Sequence, residues 1–229
     1  MYVGILSNLF LQSIWYFLYT PLLFDCINIE PPINICRSKL VSFKKSSVEK
    51  IIKLEIPTVC HQSLKVIDEA IAKYNPDVIL SIGQAGGRSE ISVERIGINI
   101  DDCRIPDNAG NQIIDEPVFK DGPAAYFVNL PIKAMVAKIK EHQIPAAVSN
   151  TAGTFVCNHV TYGVRHLIET KYQGKRSGFI HIPFLPQQVV DKKNMPSMSL
   201  DTIVQALVLA IEAIVETKED IKVTGGATH

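Results

Sequence analysis

The chain has 229 residues, 23 basic and 23 acidic side chains, and 47% apolar residues, which is room for one substantial domain without charge excess. That balance, with no basic stripe interleaved by aromatics, argues against a nucleic-acid partner. Five cysteines (Cys26, Cys36, Cys60, Cys103, Cys157) are odd in number and lack C-x-x-C spacing, which speaks against a disulfide framework and a zinc knuckle and for a reducing, cytoplasmic compartment.

The opening is unusual. No residue from Val3 to Phe24 is charged, and the stretch is long enough to span a bilayer, which takes about 20 apolar residues. A cleaved signal peptide fits poorly, because no basic n-region precedes the run and no small-residue cleavage site follows. If residues 3–24 are a membrane anchor, Arg37, Lys39, Lys44 and Lys45 would leave the remainder in the cytoplasm. Asn8, Gln12 and Pro21 interrupt the run, so part of it also reads as a buried first strand. A mis-translated start is a third reading. Residues 1–45 are therefore set apart from a single domain at 46–229.

Beyond residue 47 apolar runs alternate with amphipathic stretches. Lys50 to Ile56 reads as a strand, and Ser63 to Tyr74, with Leu64, Ile67, Ala70 and Ile71 on one face, as a helix closed by Pro76. Asp77 to Ile82 suits a buried strand leading into a glycine loop, and Ile91 to Ile100 alternates as a further strand. Pro131 opens a helix through Lys140. A strand at Ala146 to Ser149, a helix at Val156 to Tyr172, a strand at Gly178 to Ile182 and a strongly apolar helix at Leu200 to Glu216 complete the pattern. The last seven residues read as a disordered tail. Alternation of this kind implies an α/β fold with a mostly parallel sheet, whose ligands sit beyond the carboxyl ends of the strands.

The segment S-N-T-A-G-T-F-V-C-N-H-V, residues 149 to 160, carries the most chemistry. Cys157 falls where a helix begins, and a helix N-terminus favours the thiolate that attacks carbonyls. The unpaired N–H groups there can hold an oxyanion. A small buried hydrophobe is the blander role for such a cysteine. His181, near the end of a strand in G-F-I-H-I-P, can serve as the base. His159 and His166 lie on the helix of Cys157 and point to other faces. Glu94, in an apolar alternating run, either orients an imidazole inside the fold or pairs with Arg88 or Arg95 on the surface. No metal constellation stands out, and glycines 83, 86 and 87 give only a weak anion-cradle signal.

Together these segments resemble the pyroglutamyl-peptidase I family of cysteine peptidases. The resemblance rests on I-P-T-V (56 to 59), G-Q-A-G-G-R (83 to 88), V-E-R-I-G-I-N-I-D-D-C-R-I-P-D-N (93 to 108), D-G-P-A-A-Y-F (121 to 127), the segment around Cys157 (149 to 159) and G-F-I-H-I-P-F-L-P (178 to 186). It implies a three-layer α/β/α sandwich without cofactor or metal, assembled as a homotetramer or homodimer, that hydrolyses the amide after an N-terminal L-pyroglutamyl residue. It also implies roles: Cys157 as nucleophile, His181 as base and Glu94 as orienting carboxylate. Phe24, Thr58, Gln84, Ile105, Phe155 and Val156 would surround the lactam ring, and Arg104 would lie near the nucleophile. The family's G-F-D-P-F-G-G loop has L-F-D-C-I-N-I, residues 23 to 29, as its nearest counterpart, with both glycines replaced. Two other readings follow from that departure: a relative that binds pyroglutamyl termini without cleaving them, and a membrane-anchored interaction protein on the same scaffold.

Overall fold

The computed structural model describes residues 2–5, 13–16 and 50–226. Strands β1 (Tyr2–Ile5), β2 (Ser13–Tyr16) and β3 (Lys50–Pro57) lead to helix α1 (Gln62–Tyr74), then to β4 (Val78–Gln84), β5 (Ile91–Glu94), β6 (Ile96–Ile98) and β7 (Ala125–Phe127). Helix α2 (Ile132–Glu141), β8 (Ala146–Ser149), α3 (Val156–Thr170), β9 (Arg176–Ile182), a 3-10 turn at Pro186–Gln188 and α4 (Leu200–Glu216) follow. The main sheet runs in the order β1-β3-β2-β4-β9-β5-β8, and β6 and β7 form a separate ladder.

The slot between β3 and β4 holds two short strands end to end. β1 lies parallel to both neighbours, against residues 50–53 and 78–80, and β2 antiparallel to both, against 54–57 and 81–82. These are the described parts of the uncharged opening stretch. No helix among the described residues is long and apolar enough to cross a membrane.

β4 is buried from Val78 to Gly83 because both faces are covered. Val78, Leu80 and Ile82 enter one apolar core with α2 and α4, while Ile79 enters the other with α1 and α3. β9 divides in the same way: Ile180 and Ile182 join the α4 side, and Phe179 the α3 side. A side-chain period of two thus splits each central strand between two cores, which is the physical origin of the three layers. Helix α4 buries nine of its residues, Leu207 among them, and is held at its start by Ser199, whose hydroxyl accepts from the N–H of Thr202 at 3.2 Å. Helix α2 has Pro131 at its N-cap, with no capping side chain. Asp220, from the segment after α4, supplies the acceptor instead, taking the N–H groups of Lys133 and Ala134 at 3.0 Å each.

Two expectations are revised. Ile91 to Ile100 is not one strand. β5 is buried on all four residues, and the chain then leaves the main sheet at Arg95, whose N–H bonds to Ser149 and whose carbonyl accepts from Val128. β6 pairs with β7 instead. The tail expected to be free is fastened as far as it is described, since the Arg95 guanidinium donates to the carbonyl of Gly225.

Candidate active site

The segments around Gly83, Asn150 and His181 converge, although not all by their carboxyl ends. β4 and β9 run parallel with Gly83 opposite His181, whereas β5 and β8 run antiparallel to them. Ser92 and Val93 therefore face His181 and Ile180, and Glu94 approaches from across the sheet face instead of from its edge.

Cys157 sits in the first turn of α3 and keeps partial solvent access. The helix starts abruptly because Gly153, at φ +79°, turns the loop and Phe155 at the N-cap is extended. The thiol lies over the backbone of Gly83. A Cβ placed there would come within 3.0 Å of Cys157 Sγ and 2.8 Å of the Phe179 ring, so this position must be glycine for the thiol to reach the sheet. The first N–H groups of α3, the turn that carries Cys157, have no acceptor within the helix.

His181 is buried between the sheet and this helix, its ring 4.7 Å from that of Phe179. Nδ1 stands 2.7 Å from Glu94 Oε1, and the imidazole is hydrogen-bonded to the Cys157 thiol, which leaves Nε2 for the sulfur. Burial opposes the charged ring. The charge and hydrogen bond of Cys157, then the hydrogen bond and charge of Glu94, outweigh it and raise the imidazole to about 9. Glu94 is completely buried. Both pairings open to it in the sequence are made at once, because Arg88 Nη1 also reaches Oε1, at 2.9 Å.

The other expected residues are distributed around this line. Thr58 is buried, and its carbonyl accepts from Asn108 at 3.1 Å, which ties the 57–60 turn to the loop carrying Arg104 and Ile105. Arg104 is exposed, and Ile105 is 39% exposed. Phe155 is half-buried, whereas Val156 is fully buried and can offer only its backbone. The Gln84 amide is committed to Gln188, at 2.7 and 3.0 Å, and to the carbonyl of Pro183 at 3.2 Å. Phe24 lies outside the described residues.

Sequence reasoning missed the groups that shape the 98–111 segment. Asn158, next to the nucleophile, clamps this segment by accepting from Ile98 N–H and donating to the carbonyls of Ile98 and Ile100. Asp107 gathers the N–H groups of Cys60, Ala109 and Asn111 within 3.1 Å, and these bonds, set against burial, hold its carboxyl below the usual range. The D-N-A-G-N run was a turn signal that could have revealed it.

Among the described residues one donor trio, Cys60, Asp101 and His159, lies within 4.8 Å although no motif announced it. His159 Nδ1 is 2.7 Å from Asp101, and its Nε2 accepts the backbone N–H of His61 at 2.9 Å. A backbone N–H can only donate, so Nδ1 carries the proton and both ring nitrogens are already used. The trio needs no cation to satisfy its histidine.

The sequence profile of the family described as pyroglutamyl peptidase matches residues 20–217. The pyrrolidone-carboxylate peptidase of Treponema denticola is 68% identical over 181 residues, covering 77% of this chain and 83% of the relative. That of Finegoldia magna is 61% identical over 180 residues, covering 79% and 84%. Among solved structures, pyroglutamyl peptidase I from Bacillus amyloliquefaciens superposes with a TM-score of 0.72 at 50% identity, covering 74% of this chain and 80% of the other. A mutant pyrrolidone carboxyl peptidase from Pyrococcus furiosus gives 0.74 at 39% identity, covering 80% and 89%. With the fold, the site and these matches in agreement, the chain belongs to the pyroglutamyl peptidase family.

Proposed function

We propose that this chain hydrolyses the amide bond that follows an N-terminal L-pyroglutamyl residue, with Cys157 as nucleophile, His181 as general acid and base, and Glu94 as the carboxylate that orients the imidazole. The observation that carries the assignment is the line from a part-exposed thiol at a helix N-terminus, through a buried imidazole, to a buried carboxylate.

In this reading the Cys157 proton rests on His181 Nε2 before attack. The sulfur adds to the pyroglutamyl carbonyl carbon, and the oxygen takes the negative charge within reach of the first N–H groups of α3. Collapse of the adduct breaks the C–N bond, and Nε2 gives its proton to the departing amine. A thioester remains. His181 then takes a proton from water as it attacks the thioester, pyroglutamate leaves, and the proton returns to the sulfur or the ring. Glu94 keeps Nδ1 protonated and the ring in one orientation throughout.

The lactam is small, flat and uncharged, and such a ligand needs apolar walls with a few polar groups. Phe155 and Ile105 supply apolar surface beside the thiol loop, and the Val156 backbone supplies polar groups. Residues 46–229 carry both apolar cores of one peptidase domain, and its sheet also takes in the strands at residues 2–5 and 13–16. Release of a fluorescent amine from an L-pyroglutamyl amide tests the proposal. Turnover by the purified chain that disappears in Cys157→Ala is expected. No release by the parent chain, or equal release by the variant, would overturn it.

A further inference from the structure

We propose that Arg88 is a positioning residue of this active site, its guanidinium holding the buried Glu94 carboxylate against His181 with one nitrogen and the loop leading to Cys157 with another. The inference rests on the catalytic reading above. Nη1 donates to Glu94 Oε1 at 2.9 Å, the oxygen that also meets His181 Nδ1 at 2.7 Å. Nη2 donates to the carbonyl of Thr151 at 3.1 Å. Thr151 is a hub of the loop that delivers the nucleophile: its carbonyl also accepts from Ser149 Oγ at 3.0 Å, and its hydroxyl accepts the N–H of Gly153 at 3.1 Å. One side chain thus fixes both the carboxylate behind the base and the approach to the thiol.

Two features separate this contact from an ordinary surface ion pair. Exposed pairs contribute little, but Glu94 is completely buried, and losing a partner leaves a carboxylate charge uncompensated inside the fold. The backbone is also built for the contact. Gly87, at φ +90°, turns the chain immediately before Arg88, and Arg88 N–H returns to the carbonyl of Ala85. A residue with a Cβ is strained at such a φ. The two acceptors also need a planar fork, which lysine lacks. Around His181 the titratable and charged groups are Cys157 from α3, Glu94 from β5 and, through Glu94, Arg88 from the loop after β4.

Steady-state kinetics of Arg88→Met and Arg88→Lys across pH, beside the parent chain and Cys157→Ala, test the role. Arg88→Met is expected to lower kcat about 10- to 100-fold with KM changed less than about threefold, the size of a lost charge-assisted hydrogen bond that orients the base. Its profile of kcat/KM should move to higher pH, because a positive charge near the imidazole is gone. Arg88→Lys should keep the parent profile while losing part of kcat, since it retains the charge but not the fork. A parent-like kcat and profile in Arg88→Met would overturn the proposal, as would a loss confined to KM. If Arg88→Met does not fold, Arg88→Lys decides alone: reduced kcat at an unmoved profile supports the tether, and parent kcat overturns it. A parent chain without Cys157-dependent turnover is a separate result, striking the catalytic reading before any Arg88 variant is compared.

Discussion

The described residues contain two Cys–His–carboxylate sets, and in each the imidazole Nδ1 stands 2.7 Å from its carboxylate. In the set of Cys157, His181 and Glu94 the second ring nitrogen meets a sulfur that solvent can reach. In the set of Cys60, His159 and Asp101 it is occupied by the N–H of His61, and the sulfur is buried. Burial, then the charges of Asp101, Cys103 and Asp107, push the Cys60 thiol far up. The carboxylates differ in one respect, because Glu94 is backed by a guanidinium, while each keeps its other oxygen, Glu94 Oε2 or Asp101 Oδ1, buried without a hydrogen-bond partner. Residue types and a shared distance therefore do not make a catalytic set. A ring nitrogen that faces the thiol and an open path to that thiol do. The second set instead fastens the start of the 101–111 loop to α3 and to the turn before α1.

The largest expected contrast follows from deleting each sulfur. Cys157→Ala should lower turnover by at least about 10,000-fold, as removal of a nucleophile does in comparable sets. Cys60→Ala should leave turnover within about threefold and cost roughly 1 kcal/mol of stability for the atom removed from the core. Parallel assays and denaturant melts measure both, and equal losses of turnover would dissolve the comparison. Converting each carboxylate to an amide sharpens it. Glu94→Gln should lower kcat by about 100- to 10,000-fold with little change in KM, since its charge supports an imidazolium. Asp101→Asn keeps an oxygen for the His159 Nδ1–H and should leave kcat nearly unchanged. A rise in KM alone in Glu94→Gln would remove that residue from the orienting role.

Much of the scaffold was legible, for local reasons. Helix α4 has the expected bounds, because a serine cap and a long apolar run fix it without outside help. Cys157 at the start of a helix was legible from its loop and the apolar residues that follow. The division of Ile91 to Ile100 was not, since its alternation continues through Arg95, and only Val128, far along the chain, takes the Arg95 carbonyl away from the ladder that its N–H still shares with Ser149. The Asp220 cap on α2 and the hold of Arg88 on Thr151 are hidden for the same reason: both join segments with no sequence relation. The second Cys–His–acid set was invisible because its members come from three separate segments, and its histidine was expected only to point away from the site.

Thiol reactivity separates the two sulfurs without mutation. Iodoacetamide at neutral pH should label Cys157 in the native chain and spare Cys60 and Cys103, which are buried and whose thiols are both held up. Peptide mapping by mass spectrometry reads the order, and unfolding should equalise the three. Early labelling of Cys60 would show a path to the second set that its burial denies.

The last expected effect lies in stability against pH. His181 is raised from 6.5 to about 9 in the folded chain, so the native state holds its proton more tightly than the unfolded state. The stabilisation is present in full below about pH 6.5 and is lost as pH rises through about 9, with a ceiling on the order of 3 kcal/mol. The melting temperature should therefore fall across that window, by at most roughly 6 to 12 degrees for a chain of this size. Cys157→Ala removes the charge and hydrogen bond that oppose the burial of the ring, so its slope should flatten. Cys60→Ala touches nothing that faces His181 and should keep the parent slope. A parent slope in both variants would assign the pH dependence to groups outside the site, and flattening in Cys60→Ala would mean that the two sets are coupled through α3, the helix that carries both Cys157 and His159.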